Sequence, residues 1–261
     1  MCACAALAVA VGCGAALPAD DRQVELAPTG SLRAAVNLAN PVLARNDGAD
    51  SGPDGGVAVE LARELGRRLG VPVQFLPYVS AAAMADDART GEWDVAFLAA
   101  DPAREETIAF SAPYVELDAT YLVPAGSAIR ALGEVDAVGV RIAARPRSAY
   151  DLFLRRALSQ ATLVYPEEGE ADLDVLAKGR ADVLAGLRHM LVDTAASSGD
   201  WRVLDGRFAA MAQAIGVPRA REEAAAYVRA FVEEVKASGF VARAIAASAA
   251  EGVSVAPGAS P

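Results

Sequence analysis

The sequence has one histidine, His189, and its three cysteines all lie within the first thirteen residues. A single histidine excludes a multi-histidine metal centre, and the cysteine-free remainder has neither an internal disulfide nor a cysteine nucleophile. Basic residues are few, because 24 Lys and Arg stand against 34 Asp and Glu, for a formal net charge of −10. This balance argues against nucleic acid as a partner, since phosphates need a basic surface.

Sequence motifs of catalysis and phosphate binding are also missing. The chain has no Gly-x-Ser-x-Gly elbow, no P-loop and no dinucleotide fingerprint after its first strand. We therefore expect no cofactor, no metal and no catalytic residue. His189 stands beside Arg188 without an obvious carboxylate partner, and we interpret it as a surface or half-buried histidine rather than a base. The 261 residues are 54% hydrophobic, which is enough for the core of one large domain or two small ones.

The first nineteen residues carry no charge and resemble the apolar part of an export signal. The Ala-Val-Gly-Cys run that ends at Cys13 also resembles a lipoprotein cleavage box, although Ala10 replaces the usual large aliphatic residue and no basic leader precedes the run. We expect residues 1–26 to be a leader and linker, the protein to be periplasmic, and Cys13 to be a candidate lipid anchor. The alternative is an alanine-rich frayed terminus.

The rest of the chain alternates predicted strands with predicted helices. Val57, Leu61, Leu65 and Leu69 recur every four residues, which predicts a helix that ends at Gly70. Further helices are predicted from Ser80, from Ser148, over 173–178 and over 227–235, and strands over 31–38, 71–78, 93–98, 140–144, 162–165 and 183–185. This alternation indicates an α/β fold with a parallel sheet. The composition of residues 252–261 predicts a disordered tail.

One short pattern occurs twice. Thr90–Val95 and Lys178–Val183 share the form x-Gly-x-x-Asp-Val, and each joins a predicted helix to a buried strand. Two such units, about 88 positions apart, indicate two lobes of similar construction. The alternative is that Gly-x-x-Asp is simply favourable turn chemistry.

Candidate binding residues follow the predicted strands, where open α/β sheets bind their ligands. Arg104 follows the strand at 93–98 and could hold a carboxylate through two parallel hydrogen bonds. From position alone, a solvated arginine paired with Glu105 or Glu106 stays open.

The helix start at Ser148 is a candidate anion site because backbone N–H groups are free there, and Arg145 and Arg147 add positive charge. An ordinary helix cap remains the alternative. Asn37 and Asn40 follow the first strand and could bind a polar ligand, although Asn-Pro is also common in turns.

Four segments resemble the bacterial extracellular solute-binding proteins of family 3. Arg104 to Tyr114 is similar to the family's Arg-x-x-x-(Ile/Val)-x-Phe-Ser-x-Pro-Tyr motif, which is the most specific of the four. Gly56 to Ala62 resembles the entry into the family's first helix. The Gly-x-x-Asp steps at Gly91 and Gly179 resemble its strand entries. The similarity spans about residues 31–249.

The resemblance implies a two-lobed type II periplasmic-binding-protein fold with a two-strand hinge. Lobe 1 would hold residues 27–117 and 215–261, and lobe 2 residues 122–210. The ligand would lie between the lobes. Arg104 matches the arginine that binds a ligand carboxylate, and Ala99 matches a small polar residue just before it. Ser148 and Ala149 match the second-lobe helix start.

The sequence departs from the family pattern in one place. Amino acid binders commonly have an aspartate for the ligand ammonium where this chain has Gly186 or Leu187. Asp118 could substitute for it. Because a buried ammonium without a counter-charge is costly, a carboxylate-bearing or other polar solute is expected in preference to a standard α-amino acid.

The function implied is that of a monomeric binding protein that delivers a small carboxylate-bearing or amino-acid-like solute to an ABC transporter permease. The alternative is a periplasmic enzyme on the same fold, similar to cyclohexadienyl dehydratase, which acts on a small carboxylic acid. Such an enzyme needs an acid or base in the cleft, and Glu116 and Asp118 are the candidates. A receptor's sensor lobe is a third hypothesis, which the absence of a later membrane segment disfavours.

Overall fold

The computed structural model of the protein describes residues 25–46, 48, 52–248 and 250–258. None of the helices in these ranges is long and apolar enough to cross a membrane. The predicted export signal and the candidate lipid anchor at Cys13 lie outside the described residues.

The order of strands and helices follows the predicted alternation. The strands are β1 Leu32–Asn37, β2 Val73–Tyr78, β3 Val95–Ala99, β4 Ile108–Phe110, β5 Val115–Pro124, β6 Arg141–Ala143, β7 Thr162–Val164, β8 Val183–Leu187, β9 Trp201–Val203, β10 Ala209–Pro218 and β11 Val253–Val255. The helices are α1 Val57–Leu69, α2 Ala81–Asp86, α3 Ala149–Ala157, α4 Asp172–Ala177, α5 Arg188–Ser197, α6 Glu222–Ala237 and α7 Phe240–Ala246.

The strands form one mixed sheet in the order β2-β1-β3-β10-β5-β8-β6-β7. The triplets at its two ends, β2-β1-β3 and β7-β6-β8, are parallel, as the alternation predicts. Between them, the long strands β5 and β10 pair antiparallel with each other and with β8 and β3. The predicted α/β class is confirmed, but the sheet is mixed because these two strands carry the chain from one triplet to the other and back.

The repeated Gly-x-x-Asp-Val pattern marks the same construction in both triplets. Asp94, before β3, accepts hydrogen bonds from the backbone N–H of Arg33 at 2.9 Å and from its guanidinium at 2.7 and 3.0 Å. Asp182, before β8, accepts the same three bonds from Arg141 at 2.8, 2.8 and 3.1 Å. In each case the aspartate ties the start of one strand to its parallel neighbour. The repeat therefore reflects two matched lobes rather than turn chemistry alone.

Each lobe has an apolar core of its own. The core of the first lobe joins β1, α1 and β3 to helices α6 and α7 from the end of the chain, and it includes Leu32, Leu61 and Phe231. The second lobe packs Ile142, Leu154 and Val183 with residues of β5 and β9. Because α1 and α6 present apolar stripes at helical spacing, these helices cover the sheet as the periodicity predicts.

The structure differs from the sequence-based expectations at several elements. Helix α5 was not expected, because its sequence has no apolar stripe and no side-chain cap. The predicted helix from Ser80 ends at Asp86 and continues as a 3-10 turn over Asp87–Arg89. The expected disordered tail contains β11, which pairs with the outer edge of β5.

Candidate ligand-binding site

A cavity lies between the two lobes, at the carboxyl ends of β1 and β3 on one side and of β6 and β8 on the other. It encloses an empty volume of about 720 Å³, part of it open to solvent. The structure brings together in its lining six of the seven residues singled out from the sequence: Asn37, Asn40, Ala99, Arg104, Ser148 and Ala149. The lining also includes Ser80, Arg145, Arg147, Tyr150, Asp172, Leu187, Met190 and Gln213.

Arg104 is buried in this cavity, with 3% of its surface exposed. Its Nη1 donates to the carbonyl of Ala99 at 2.7 Å, and its Nη2 donates to the carbonyl of Arg147, in the other lobe, at 3.1 Å. Its buried Nε has no hydrogen-bond partner among the described residues. Burial lowers the pKa of Arg104 to about 10, so that the guanidinium stays charged at pH 7. The alternative of a solvated arginine paired with Glu105 or Glu106 is wrong.

Ser148 begins α3, and its Oγ accepts a hydrogen bond from the N–H of Asp151 at 3.1 Å. The Asp151 carboxylate in turn accepts from the N–H of Arg147 at 2.7 Å and from the Tyr165 hydroxyl at 2.9 Å. Ser148 therefore caps the start of α3. Since the first N–H groups of a helix have no intrahelical partner, the start of α3 offers the cavity donors at Ala149 as well as a favourable dipole.

The two asparagines after β1 use their side-chain oxygens to hold the loop. The Oδ1 of Asn37 accepts from the N–H of Ala39 at 3.0 Å, and the Oδ1 of Asn40 accepts from the N–H of Val42 at 3.2 Å. The Oδ1 of Asn40 also lies 3.2 Å from the Nε2 of His189. Both asparagines therefore serve as turn residues and still have an amide NH₂ group to offer the cavity.

His189 is buried, contrary to the expectation of a surface or half-buried histidine, with 5% of its surface exposed. Helix α5 places it in its first turn, against the loop that carries Asn40 of the other lobe. Burial lowers the pKa of His189 to about 4, so the imidazole is neutral at pH 7. With the Asn40 oxygen as acceptor, Nε2 is the donor in this cross-lobe hydrogen bond.

Asp118 does not line the cavity, so the expectation that it could face a ligand ammonium is not met. It lies on β5 opposite Ala210, and its carboxylate accepts from the Nη1 of Arg207 at 2.7 Å. Glu116 is 3.9 Å from the same guanidinium and is likewise outside the lining. Among the described residues, the acid of the lining is Asp172, which accepts from the Nε of Arg145 at 2.9 Å.

Two ion pairs bridge the crevice beside the cavity. Arg147 donates two hydrogen bonds to Asp86 on α2, at 2.5 and 2.9 Å. Arg156 on α3 donates two to Asp101, after β3, at 2.8 and 3.2 Å. Arg147 has a φ of 58°, and it is the one residue other than glycine with positive φ in the described chain. These pairs hold the two walls of the cavity together.

The sequence matches the family model of the bacterial extracellular solute-binding proteins, family 3, over residues 44–247. The chain belongs to this family. The match covers the second lobe, the two strands that join the lobes and most of the first lobe, and it confirms the resemblance drawn from the Arg104 to Tyr114 motif. Family 3 proteins are extracellular solute-binding proteins. No curated protein matches the sequence.

Solved structures of similar fold include proteins that bind amino acids. The L-cysteine receptor of Neisseria gonorrhoeae has 21% identity and a TM-score of 0.72, with 88% of this chain and 93% of that chain covered. An amino acid ABC transporter substrate-binding protein of Streptococcus pneumoniae bound to L-arginine has 19% identity and a TM-score of 0.69, with 85% and 95% covered. An ancestral amino acid-binding protein, a precursor of cyclohexadienyl dehydratase, has 21% identity and a TM-score of 0.68, with 85% and 97% covered. These matches confirm the type II periplasmic-binding fold.

The lining residues that were not predicted from the sequence include Ser80 and Gln213. Ser80 was identified only as a helix cap, which it is, since its Oγ accepts from the N–H of Ala82 at 3.1 Å. Gln213 was given no role from the sequence. Its place in the site comes from strand pairing, because β10 puts Gln213 opposite Ala99, whose carbonyl accepts from Arg104.

Proposed function

We propose that the protein is the solute-binding component of an ABC importer, which captures a small carboxylate-bearing or amino-acid-like solute between its lobes and delivers it to a membrane permease. The observation that carries the proposal is the buried guanidinium of Arg104, which lines the cavity and whose Nε has no hydrogen-bond partner among the described residues. A buried charged donor left unpaired is costly unless a ligand satisfies it. A ligand carboxylate is the natural partner for a guanidinium.

The second lobe would complete the carboxylate site. Ser148 and the N–H of Ala149 lie at the start of α3, whose dipole favours negative charge. Asn37 and Asn40 would bind the polar part of the solute, and Ala99 would leave room beside Arg104. Because these groups come from both lobes, a bound solute stabilises the closed arrangement of the lobes. The amino acid receptors with the same fold favour a solute of similar size.

We propose binding without chemical conversion. The dehydratase alternative needs an acid or base in the cavity, and Glu116 and Asp118 face Arg207 elsewhere. Asp172, the acid of the described lining, is held by Arg145. We further propose a monomer that works outside the cytoplasmic membrane, with Cys13 as its lipid anchor. The lobe limits of 27–117 with 215–261, and of 122–210, remain predictions.

The test is the small molecule that purifies with the protein. Native mass spectrometry of the purified chain should show a bound acid of low mass, and the acid should be recovered unchanged after long incubation. Arg104→Ala should weaken binding by several kcal/mol, on the order of 3, because the ligand carboxylate loses its buried partner.

Arg229→Ala, which removes an exposed arginine of α6, is the matched control and should keep the ligand. Equal ligand occupancy in the two variants would contradict the proposal. Conversion of the acid during incubation would favour the enzyme instead.

A further inference from the structure

The charges around the cavity leave one positive charge without an ion-pair partner. Four arginines lie in the lining or at its edge, and three of them are paired with an aspartate: Arg145 with Asp172, Arg147 with Asp86 and Arg156 with Asp101. Arg104 is the fourth, and the described part of the chain gives it no ion pair within 4 Å. Asp101 favours its charge from a distance, but the carboxylate of Asp101 is already bound by Arg156.

This arrangement balances one negative charge on a ligand and no more. A standard α-amino acid carries a carboxylate and an ammonium, so its ammonium needs a carboxylate of its own in a buried site. Among the described lining residues only Asp172 has a carboxylate. That carboxylate is neutralised by Arg145, whose Nε lies 2.9 Å from its Oδ2.

The uncharged groups of the lining suit oxygen atoms rather than an ammonium. Asn37 and Asn40 use their oxygens within the loop after β1 and have amide NH₂ groups to donate. Gln213 is buried opposite Ala99, and its Nε2 donates weakly to the carbonyl of Met211 at 3.4 Å, which leaves its Oε1 as an acceptor. A neutral amide oxygen can accept from a hydroxyl group, but it supplies no counter-charge for an ammonium.

We propose that the ligand is a small monocarboxylate whose other polar groups are uncharged, such as a 2-hydroxy acid, and that Gln213 makes the cavity discriminate against the corresponding amino acid. This inference rests on the proposed function, because it takes Arg104 as the carboxylate site. The proposed solute differs in charge from the amino acids that the receptors of similar fold bind. A hydroxyl and an ammonium have nearly the same size, so the discrimination is one of charge and not of shape.

The experiment compares matched pairs by isothermal titration calorimetry on ligand-stripped protein. The pairs are lactate and alanine, 2-hydroxyisovalerate and valine, and phenyllactate and phenylalanine, all as L enantiomers. We expect a hydroxy acid to bind at least about tenfold more tightly than its amino partner. Amino acids that bind as tightly as, or more tightly than, their partners would overturn the inference while leaving the proposed function intact. A panel in which neither class binds at 10 mM, about the weakest useful affinity, would count against both.

Gln213→Glu is the isosteric test of the mechanism. It replaces the neutral amide oxygen with a carboxylate in the cavity wall without changing the shape of the cavity. A ligand ammonium then has a counter-charge, so the preference should move toward the amino acid by about tenfold or more. Gln160→Glu, in an exposed loop of the second lobe, is the matched control and should leave the preference unchanged. If Gln213→Glu folds, as its thermal unfolding will show, and keeps the preference of the unmodified protein, Gln213 is not the discriminating residue. If it fails to fold, the matched pairs alone decide the charge of the ligand.

Discussion

Gly56 stands at the entrance to α1, where two backbone segments come very close together. Its φ is 111°, and a Cβ built on it would lie 2.3 Å from the carbonyl oxygen of Leu43. The N–H groups of Val57 and Ala58 donate to the carbonyls of Val42 and Leu43, both at 2.9 Å. The helix start is thereby fastened to the loop that also carries the binding-site asparagines.

Gly56→Ala should therefore lower the free energy of unfolding by about 2–4 kcal/mol, because the backbone must move and adopt a strained φ. Gly126→Ala is the matched control, since nothing lies within 4 Å of a Cβ there and φ is not positive. The control should change stability by less than about 0.5 kcal/mol. Urea unfolding measures both, and similar losses in the two variants would disprove the backbone explanation.

Single site residues could be predicted from the sequence where a suitable side chain also lay at the end of a predicted strand or the start of a predicted helix. Arg104 and Ser148 could be singled out because one follows a predicted strand and the other starts a predicted helix. Gln213 could not be assigned a role, because only the pairing of β10 with β3 brings it opposite Ala99 and into the cavity lining. Asp118 was placed wrongly for a similar reason: its position on β5 is set by pairing with β10, and its charge is taken by Arg207, 89 residues away.

Helix α5 brings the chain's one histidine against the other lobe and makes the fold sensitive to acid. Burial lowers the pKa of His189 to about 4 from an ordinary value of 6.5. The unfolded chain therefore binds a proton more readily than the folded chain between these values. The contribution of neutral His189 to stability is complete above about pH 6.5 and is lost as the pH falls toward 4.

We expect His189→Gln to reduce this acid sensitivity, because glutamine can donate to Asn40 without titrating. Between pH 7 and pH 4.5 the unmodified protein should lose about 2 kcal/mol more of its unfolding free energy than the variant. Urea unfolding at the two pH values gives the comparison, and the carboxylates that titrate in the same range are common to both proteins. Parallel pH dependence in the two proteins would show that His189 does not titrate as described.

Elements with a repeating apolar face could be predicted closely, and those without one could not. Helix α1 has the bounds that its four-residue spacing and Gly70 indicate, since Gly70 adopts the left-handed conformation with a φ of 69°. Helix α5 has no such face. Its position is set by β8, which ends at Leu187, directly before the helix. Strands β5 and β10 are long runs of mixed burial, so only the family resemblance pointed to them.

For the whole molecule, the ion pair between Arg147 and Asp86 bears directly on the spacing of the lobes. Both side chains are more than half exposed, so the pair contributes about 1 kcal/mol or less. Arg147 lowers the pKa of Asp86 below its ordinary value, so the pair weakens only in acid. A contribution of this size shifts the ratio of closed to open molecules by up to about fivefold.

Asp86→Asn should therefore increase the radius of gyration of the ligand-free protein in small-angle X-ray scattering. Glu170→Gln is the control, because it breaks ion pairs with Lys178 and Arg180 that lie within the second lobe. High salt should bring the unmodified protein toward the variant. An unchanged radius for Asp86→Asn would mean that the Arg156–Asp101 pair and the hydrogen bonds of Arg104 and His189 hold the lobes without this pair.

The two crossings of the chain through β5 and β10 also fix the order in which the molecule can assemble. The second lobe is one continuous stretch, whereas the core of the first needs Val228, Phe231 and Val241 from near the end of the chain. During synthesis, the amino-terminal third emerges before the helices that complete its core, and that core stays incomplete until some 240 residues have been made. A chain of this design remains open to chaperones for most of its time on the ribosome.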